Sequence, residues 1–130
     1  MEDHSYVDRT LALYEAVKAK HHSSGLALQA YLFRTPKDLE RLRKLKPVIR
    51  LVKGAYWDEE VVVAKQESRP APVFIAKGAT DASYERCTSR LIGHYPSLRP
   101  AFASHNPRSI AQAMARLEAS DMDRGHAEFQ

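Results

Sequence analysis

The sequence predicts an α/β fold: a parallel sheet with helical crossovers, amounting to about four βα units of an eight-unit closed barrel. Three observations predict it. Short apolar runs of strand length alternate with amphipathic stretches in the order helix, strand, helix, strand, helix, strand, helix, strand. Strands apolar on both faces, separated by such helices, imply parallel pairing. The Gly-x-Gly-x-x-Gly turn that cradles phosphates follows none of the strands, which leaves a dinucleotide-binding open sheet without support. Polar residues gather instead at strand ends, as Gln29, Arg50, Lys53, His105 with Asn106, and Glu128 with Gln130. Barrel enzymes place their chemistry at the C-terminal ends of their strands. A whole barrel takes about 250 residues; 130 residues with four strands make half of one.

Each element has its own signal. Asp3 to roughly Lys18 reads as a helix, because Val7, Leu11, Tyr14 and Val17 recur at helical spacing with Asp8, Arg9 and Glu15 opposite. His21-His-Ser-Ser-Gly25 stops it, and Leu26 to Tyr31 is a short, nearly apolar strand. Thr35-Pro36-Lys37-Asp38 reads as a helix start, with Thr35 as N-cap and Pro36 at the first position. Leu39, Leu42 and Leu45 give that helix its inner edge, Pro47 ends it, and Val48 to Ala55 is the second strand. Tyr56 to about Gln66 carries a helical piece, and Glu67 to Pro72 is a proline-punctuated loop. A helix over about Asp81 to Gly93 buries Tyr84, Cys87, Thr88 and Leu91. Arg99 to Ser104 is the third strand. Asn106-Pro107 then opens a helix that turns Ile110, Ala113, Met114 and Leu117 to one side, and His126 to Gln130 has strand character.

Composition narrows the function. Hydrophobic residues at 44% and a net charge of +4 exclude a disordered chain. No apolar run reaches the ~18 to 20 residues of a membrane span, and no secretion leader opens the sequence. One cysteine, Cys87, excludes an internal disulfide framework and fits a reducing compartment; on its helix it is an inert core thiol. The basic excess is scattered, and its densest stretch, Arg41 to Lys46, is broken by leucines and preceded by Asp38 and Glu40, the pattern of a solvated helix face. No metal site is expected: His105 has no His or Cys at ligand spacing, and His21-His22 sits in an exposed loop.

Ile49 to Trp57 is the most informative segment. Arg50 and Lys53 stand in a strand of Val, Ile and Leu, where an unpaired buried charge is very unfavourable. Each therefore needs an anionic ligand, a counter-ion or water. Strand alternation puts Arg50, Val52 and Gly54 on one side and Leu51 and Lys53 on the other. Gly54 lacks a side chain, which would let a flat ligand approach the backbone. The plainer reading is a structural ion pair to a carboxylate on a neighbouring strand. Asn106 is independently a good N-cap, and Trp57 a residue that covers a core edge.

Arg50-Leu-Val-Lys-Gly-Ala-Tyr-Trp-Asp58, Leu28-Gln-Ala-Tyr31, Phe102-Ala-Ser-His-Asn106, Glu128-Phe-Gln130 and the opening Met1-Glu-Asp-His4 resemble the proline dehydrogenase family. The order and spacing agree over essentially the whole chain. Trp57-Asp58 and the stretch Pro72-Val-Phe to Lys77 and Thr80-Asp81 look most like the dehydrogenase domain of the bifunctional proline utilisation A enzymes. The resemblance implies a partial (βα)8 TIM-like barrel over residues 1–130, truncated at both ends, that binds FAD and oxidises L-proline to Δ1-pyrroline-5-carboxylate in proline catabolism to glutamate. Arg50 would be catalytic, near the flavin N5, where its charge stabilises the anionic reduced flavin. Gln29, Val52, Gly54, Lys77, Thr80, Ser104, His105, Asn106 and Gln130 would contact the cofactor, and Ala55 and Tyr56 would border the proline pocket. Ser104 stands where Thr is usual, and Phe74-Ile-Ala-Lys77 is more apolar than the family's pattern.

The partners implied are L-proline, a membrane quinone as electron acceptor, and a fused NAD-dependent glutamate-semialdehyde dehydrogenase domain; DNA binding is implied only with a separate N-terminal domain. The location implied is cytoplasmic, with the full-length enzyme peripheral at the inner face of the membrane. The family's remaining catalytic groups, an Asp before Met1, a Lys on an earlier strand and a Tyr-x-x-Arg-Arg motif after Gln130, would lie outside this chain. The isolated chain is therefore expected to be inactive and, with open strand edges, to self-associate. Two competing readings are a Schiff-base barrel lyase using Lys53 and a basic, non-enzymatic interaction domain.

Overall fold

The computed structural model describes residues 3–130; Met1 and Glu2 of the opening Met1–His4 segment lie outside them. A 3-10 turn, His4–Tyr6, leads into α1 (Val7–Lys20), β1 (Gly25–Gln29) and α2 (Thr35–Leu42), which tightens into a second 3-10 turn, Arg43–Leu45. There follow β2 (Val48–Val52), α3 (Trp57–Gln66), α4 (Lys77–Gly93), β3 (Arg99–Phe102), α5 (Pro107–Glu118) and β4 (Glu128–Phe129). The strands lie in the order β1-β2-β3-β4, every pair parallel. No helix among the described residues is long and apolar enough to cross a membrane.

The register divides the sheet into two faces. Leu28, Leu51, Phe102 and Phe129 form one row across the strands, and Ala27, Arg50, Ala101 and Glu128 form the next. Leu28, Leu51 and Phe102 join Leu11, Leu39, Leu42, Tyr84 and Leu91 in one buried core under the helices. The alternate row carries no helix. Arg50 is exposed and Val52 half-buried there, so β2 is apolar on one face only, not on both.

Helix faces follow the periodicity closely. Val7, Leu11 and Tyr14 of α1 are buried, as are Tyr84, Cys87, Thr88 and Leu91 of α4. Lys18 is buried too, because its stem lies along the core while its ammonium donates to the carbonyls of His22 and Ser24 just past the helix end. Met114, expected inside α5, is 48% exposed beside Phe129.

Two helix starts differ from expectation. Arg34 stands at the N-cap position of α2 without a side-chain capping bond, and Thr35 lies inside its first turn, where its hydroxyl donates to the Gln29 carbonyl. The threonine thus ties α2 to β1 rather than satisfying its own helix end. α4 begins at Lys77, four residues before the expected start at Asp81, since its opening turn Lys77-Gly78-Ala79-Thr80 packs no apolar side chain. Asn106 does what the sequence asks: its Oδ1 accepts from Arg108 N at 3.0 Å at the start of α5.

Candidate active site

A cleft of about 370 Å³ lies over the C-terminal ends of β1, β2 and β3, on the face without helices. Gln29, Arg50, Val52 and Gly54 line it, with Ala55 and Tyr56 from the turn after β2 and Ser104 and His105 from the turn after β3. Eight of the residues proposed from sequence are thereby brought together. Arg50 donates from Nε to the Gln130 amide oxygen, and Gln130 in turn donates to Glu128 at 2.7 Å. Among the described residues no carboxylate makes an ion pair with the Arg50 guanidinium.

Gln29 is 2% exposed, and its amide oxygen accepts from the Ala55 N–H at 3.1 Å. It therefore fixes the turn after β2 from beneath. Gly54 has φ +147, and a Cβ there would stand under 3.0 Å from three atoms of the Tyr31 ring. The space left by the missing side chain is filled by Tyr31, not held open for a ligand. Ligand approach to this backbone is from the cleft side.

A second cleft of about 340 Å³ adjoins the first, sharing Lys53 and Gly54 and walled by Tyr31, Trp57, Ile75 and the start of α4. Lys77 and Thr80 belong to it. Asp81, which sequence reasoning passed over as a site residue, organises it: one carboxylate oxygen accepts from Lys53 and the other from Lys77 at 2.9 Å. The Lys53 hydrogen bond, seconded by that of Lys77, holds the Asp81 carboxyl below its ordinary range. Lys53 also lies 5.8 Å from the Tyr84 ring centroid. Its partner is on a helix, where the plainer reading had placed a carboxylate on a neighbouring strand. Trp57 is 39% exposed and donates to the Phe74 carbonyl at 3.1 Å, pinning α3 to the loop before α4.

Other proposed residues sit apart. Asn106 is not in the cleft lining, and its side chain is committed to the α5 cap; its own N–H donates to the Ser104 hydroxyl at 3.1 Å. Burial pushes the Cys87 thiol up, consistent with an inert core residue. His21 and His22 are exposed. The basic residues are spread, and several are paired: Arg34 with Asp8 and Asp38, Arg41 with Glu15, Arg43 and Arg90 with Glu40, Arg108 with Glu85. This distribution disfavours a basic docking face.

Comparison with known proteins converges on one family. The proline dehydrogenase family model matches residues 1–130. The bifunctional protein PutA of Klebsiella aerogenes is 36% identical over 124 residues, covering 90% of this chain and 9% of that protein. Proline dehydrogenase 1 of Bacillus subtilis (strain 168) is 32% identical over 132 residues, covering 100% of this chain and 39% of that protein. The crystal structure of proline utilization A from Bdellovibrio bacteriovorus inactivated by N-propargylglycine superposes with a TM-score of 0.93 at 35% identity, over 100% of this chain and 15% of that one. The chain thus spans about a tenth of the bifunctional relative's length and about two fifths of the monofunctional one's.

Proposed function

The chain belongs to the proline dehydrogenase family, and from that premise we propose that residues 1–130 form about half of the barrel of an FAD-dependent enzyme oxidising L-proline to Δ1-pyrroline-5-carboxylate. The observation that carries the reading is Arg50: an exposed guanidinium on the face without helices, at the wall of a cleft, partnered by an amide and by no carboxylate among the described residues. A cation left without a counter-ion at a strand end is matched to an anionic guest. The cleft volume lies within the range of about 300 to 1,000 Å³ usual for cofactor sites.

The residues present fit a flavin. When bound, it would accept the hydride taken from C5 of proline, the ring carbon beside the nitrogen that does not bear the carboxylate, as the ring N–H gives up its proton. Arg50 presents positive charge where negative charge builds on the ring. Val52 and the Gly54–Ala55 backbone form the floor, and Gln29 keeps that backbone in place. Lys77 and Thr80 would meet the ribityl-pyrophosphate or adenine portion, with Ser104, His105, Asn106 and Gln130 on the remaining sides. Ala55 and Tyr56 would border the proline. A quinone acceptor, a fused glutamate-semialdehyde dehydrogenase domain and a cytoplasmic or membrane-peripheral location complete the proposal.

The test uses the full reading frame that contains this chain. The product should purify yellow and bleach with L-proline, and Arg50→Met should lower turnover by at least about a hundredfold. A colourless protein, or one that L-proline does not bleach, overturns the reading. The 130-residue chain alone should reduce no dye with L-proline, since catalysis needs the groups of the whole barrel in register. A Schiff-base lyase is disfavoured because the Lys53 ammonium is engaged by Asp81 and is not free to attack a carbonyl.

A further inference from the structure

Arg50 has an alanine on either flank. In its row across the sheet the neighbours are Ala27 on β1 and Ala101 on β3, with Glu128 beyond on β4. Ala27 and Ala103 line the cleft beside it. Adjacent strands stand about 4.8 Å apart, so β2 and β4 are separated by about 10 Å. Two long side chains can meet over the methyl groups of β3, where a larger residue would block them. The Arg50 guanidinium lies toward β4, its Nε donating to Gln130 Oε1. The Gln130 backbone is anchored: its N–H donates to the Phe102 carbonyl at 2.9 Å, and its carbonyl accepts from Ser104 N at 3.4 Å.

A guanidinium only donates, so an amide beside it must present its oxygen and turn its NH2 group away. Nothing in the amide's shape favours that end, since the oxygen and the NH2 group are alike in size. Glu128 settles it: its carboxylate accepts from Gln130 Nε2 at 2.7 Å. The two residues are two apart in an extended segment and so share a face. The amide therefore stands between a carboxylate and a guanidinium that do not themselves pair.

We propose that Glu128 is a positioning residue for the dehydrogenase reaction. It orients the Gln130 amide, which holds Arg50 Nε on the β4 side and leaves the two terminal guanidinium nitrogens for the anionic guest. The inference rests on the proline dehydrogenase reading, in which negative charge builds on the flavin ring beside Arg50. A carboxylate set directly on Arg50 would hold it as firmly, but would cancel the charge that stabilises that anion. The interposed amide separates holding from neutralising.

The experiment takes the complete protein encoded by the full reading frame and mixes it anaerobically with L-proline, following flavin bleaching by stopped-flow absorbance. Glu128→Ala should keep its flavin and its half-saturating L-proline concentration while the limiting rate of bleaching falls about tenfold, the worth of one hydrogen bond to a charged group. Glu128→Gln still offers an acceptor to Gln130 and should recover most of that rate. Gln130→Glu sets a carboxylate against the guanidinium and should lower the flavin's midpoint potential, which Glu128→Gln should not. Glu128 is exposed, so its variants leave the core intact, and circular dichroism checks this. Three results overturn the positioning role while the dehydrogenase reading stands: bleaching of Glu128→Ala at the parent's rate, a loss carried by half-saturation instead of by rate, or an unchanged potential in Gln130→Glu. A parent protein that L-proline does not bleach overturns that reading, and the positioning role with it.

Discussion

Two cations three residues apart on one strand, Arg50 and Lys53, meet opposite fates. Lys53 turns toward the helices and is held by Asp81, 28 residues away, with Lys77 on the other carboxylate oxygen. Arg50 turns to the open face, where its partner is the Gln130 amide. The sequence makes them look alike, as charged residues in an apolar strand. Strand alternation separates their directions, but only the fold separates their electrostatics. Lys53 belongs to the architecture, and Arg50 is left available.

That contrast can be broken at three points. Gly54 stands between the two clefts, and Gly54→Ala should be the most damaging change. Its Cβ would strike the Tyr31 ring at a φ of +147, a clash plus backbone strain of roughly 3 kcal/mol in urea unfolding. Asp81→Asn should cost less, about 1 to 2 kcal/mol, by leaving Lys53 and Lys77 without a counter-charge. The sign with pH is fixed. The folded Asp81 carboxyl titrates below its ordinary 3.8, so the pair's contribution is present above pH 3.8 and is lost as pH falls through the lower folded value. Parent and variant should therefore differ at neutral pH and converge in acid melts. Arg50→Met should leave stability within about 0.5 kcal/mol of the parent while removing turnover in the complete enzyme. If Arg50→Met destabilises as much as Asp81→Asn does, the division of labour between the two cations fails.

Much of the fold is legible because it rests on local pattern. The inward rows of α1 and α4, the proline-marked start of α5 and the strand-end positions of Gln29 and Arg50 follow from spacing and strand alternation, while the turn after β2 is marked only by the family resemblance. What the sequence hid depends on partners far away in the chain. Asp81 reads as an ordinary polar residue early in a helix until Lys53 is brought to it. Thr35 has the look of an N-cap, yet its hydroxyl serves the Gln29 carbonyl. The first turn of α4 has no periodic signal because nothing packs on it; a Cβ on Gly78 would meet no atom within 4 Å. His4 and Glu60 meet from 56 residues apart, and nothing in the residues beside either announces the pair.

Tyr31 joins regions otherwise described separately. Its ring supports the Gly54 backbone where the two clefts adjoin, while burial and then the charge of Glu60 push its hydroxyl up to about 12. A phenol ring is rigid, so the two ends cannot shift independently. A guest that moves the turn after β2 moves the hydroxyl, and anything that draws on the hydroxyl loads the turn. Thermodynamic linkage makes such coupling reciprocal: the factor by which occupancy of one cleft alters affinity at the other is the same in both directions.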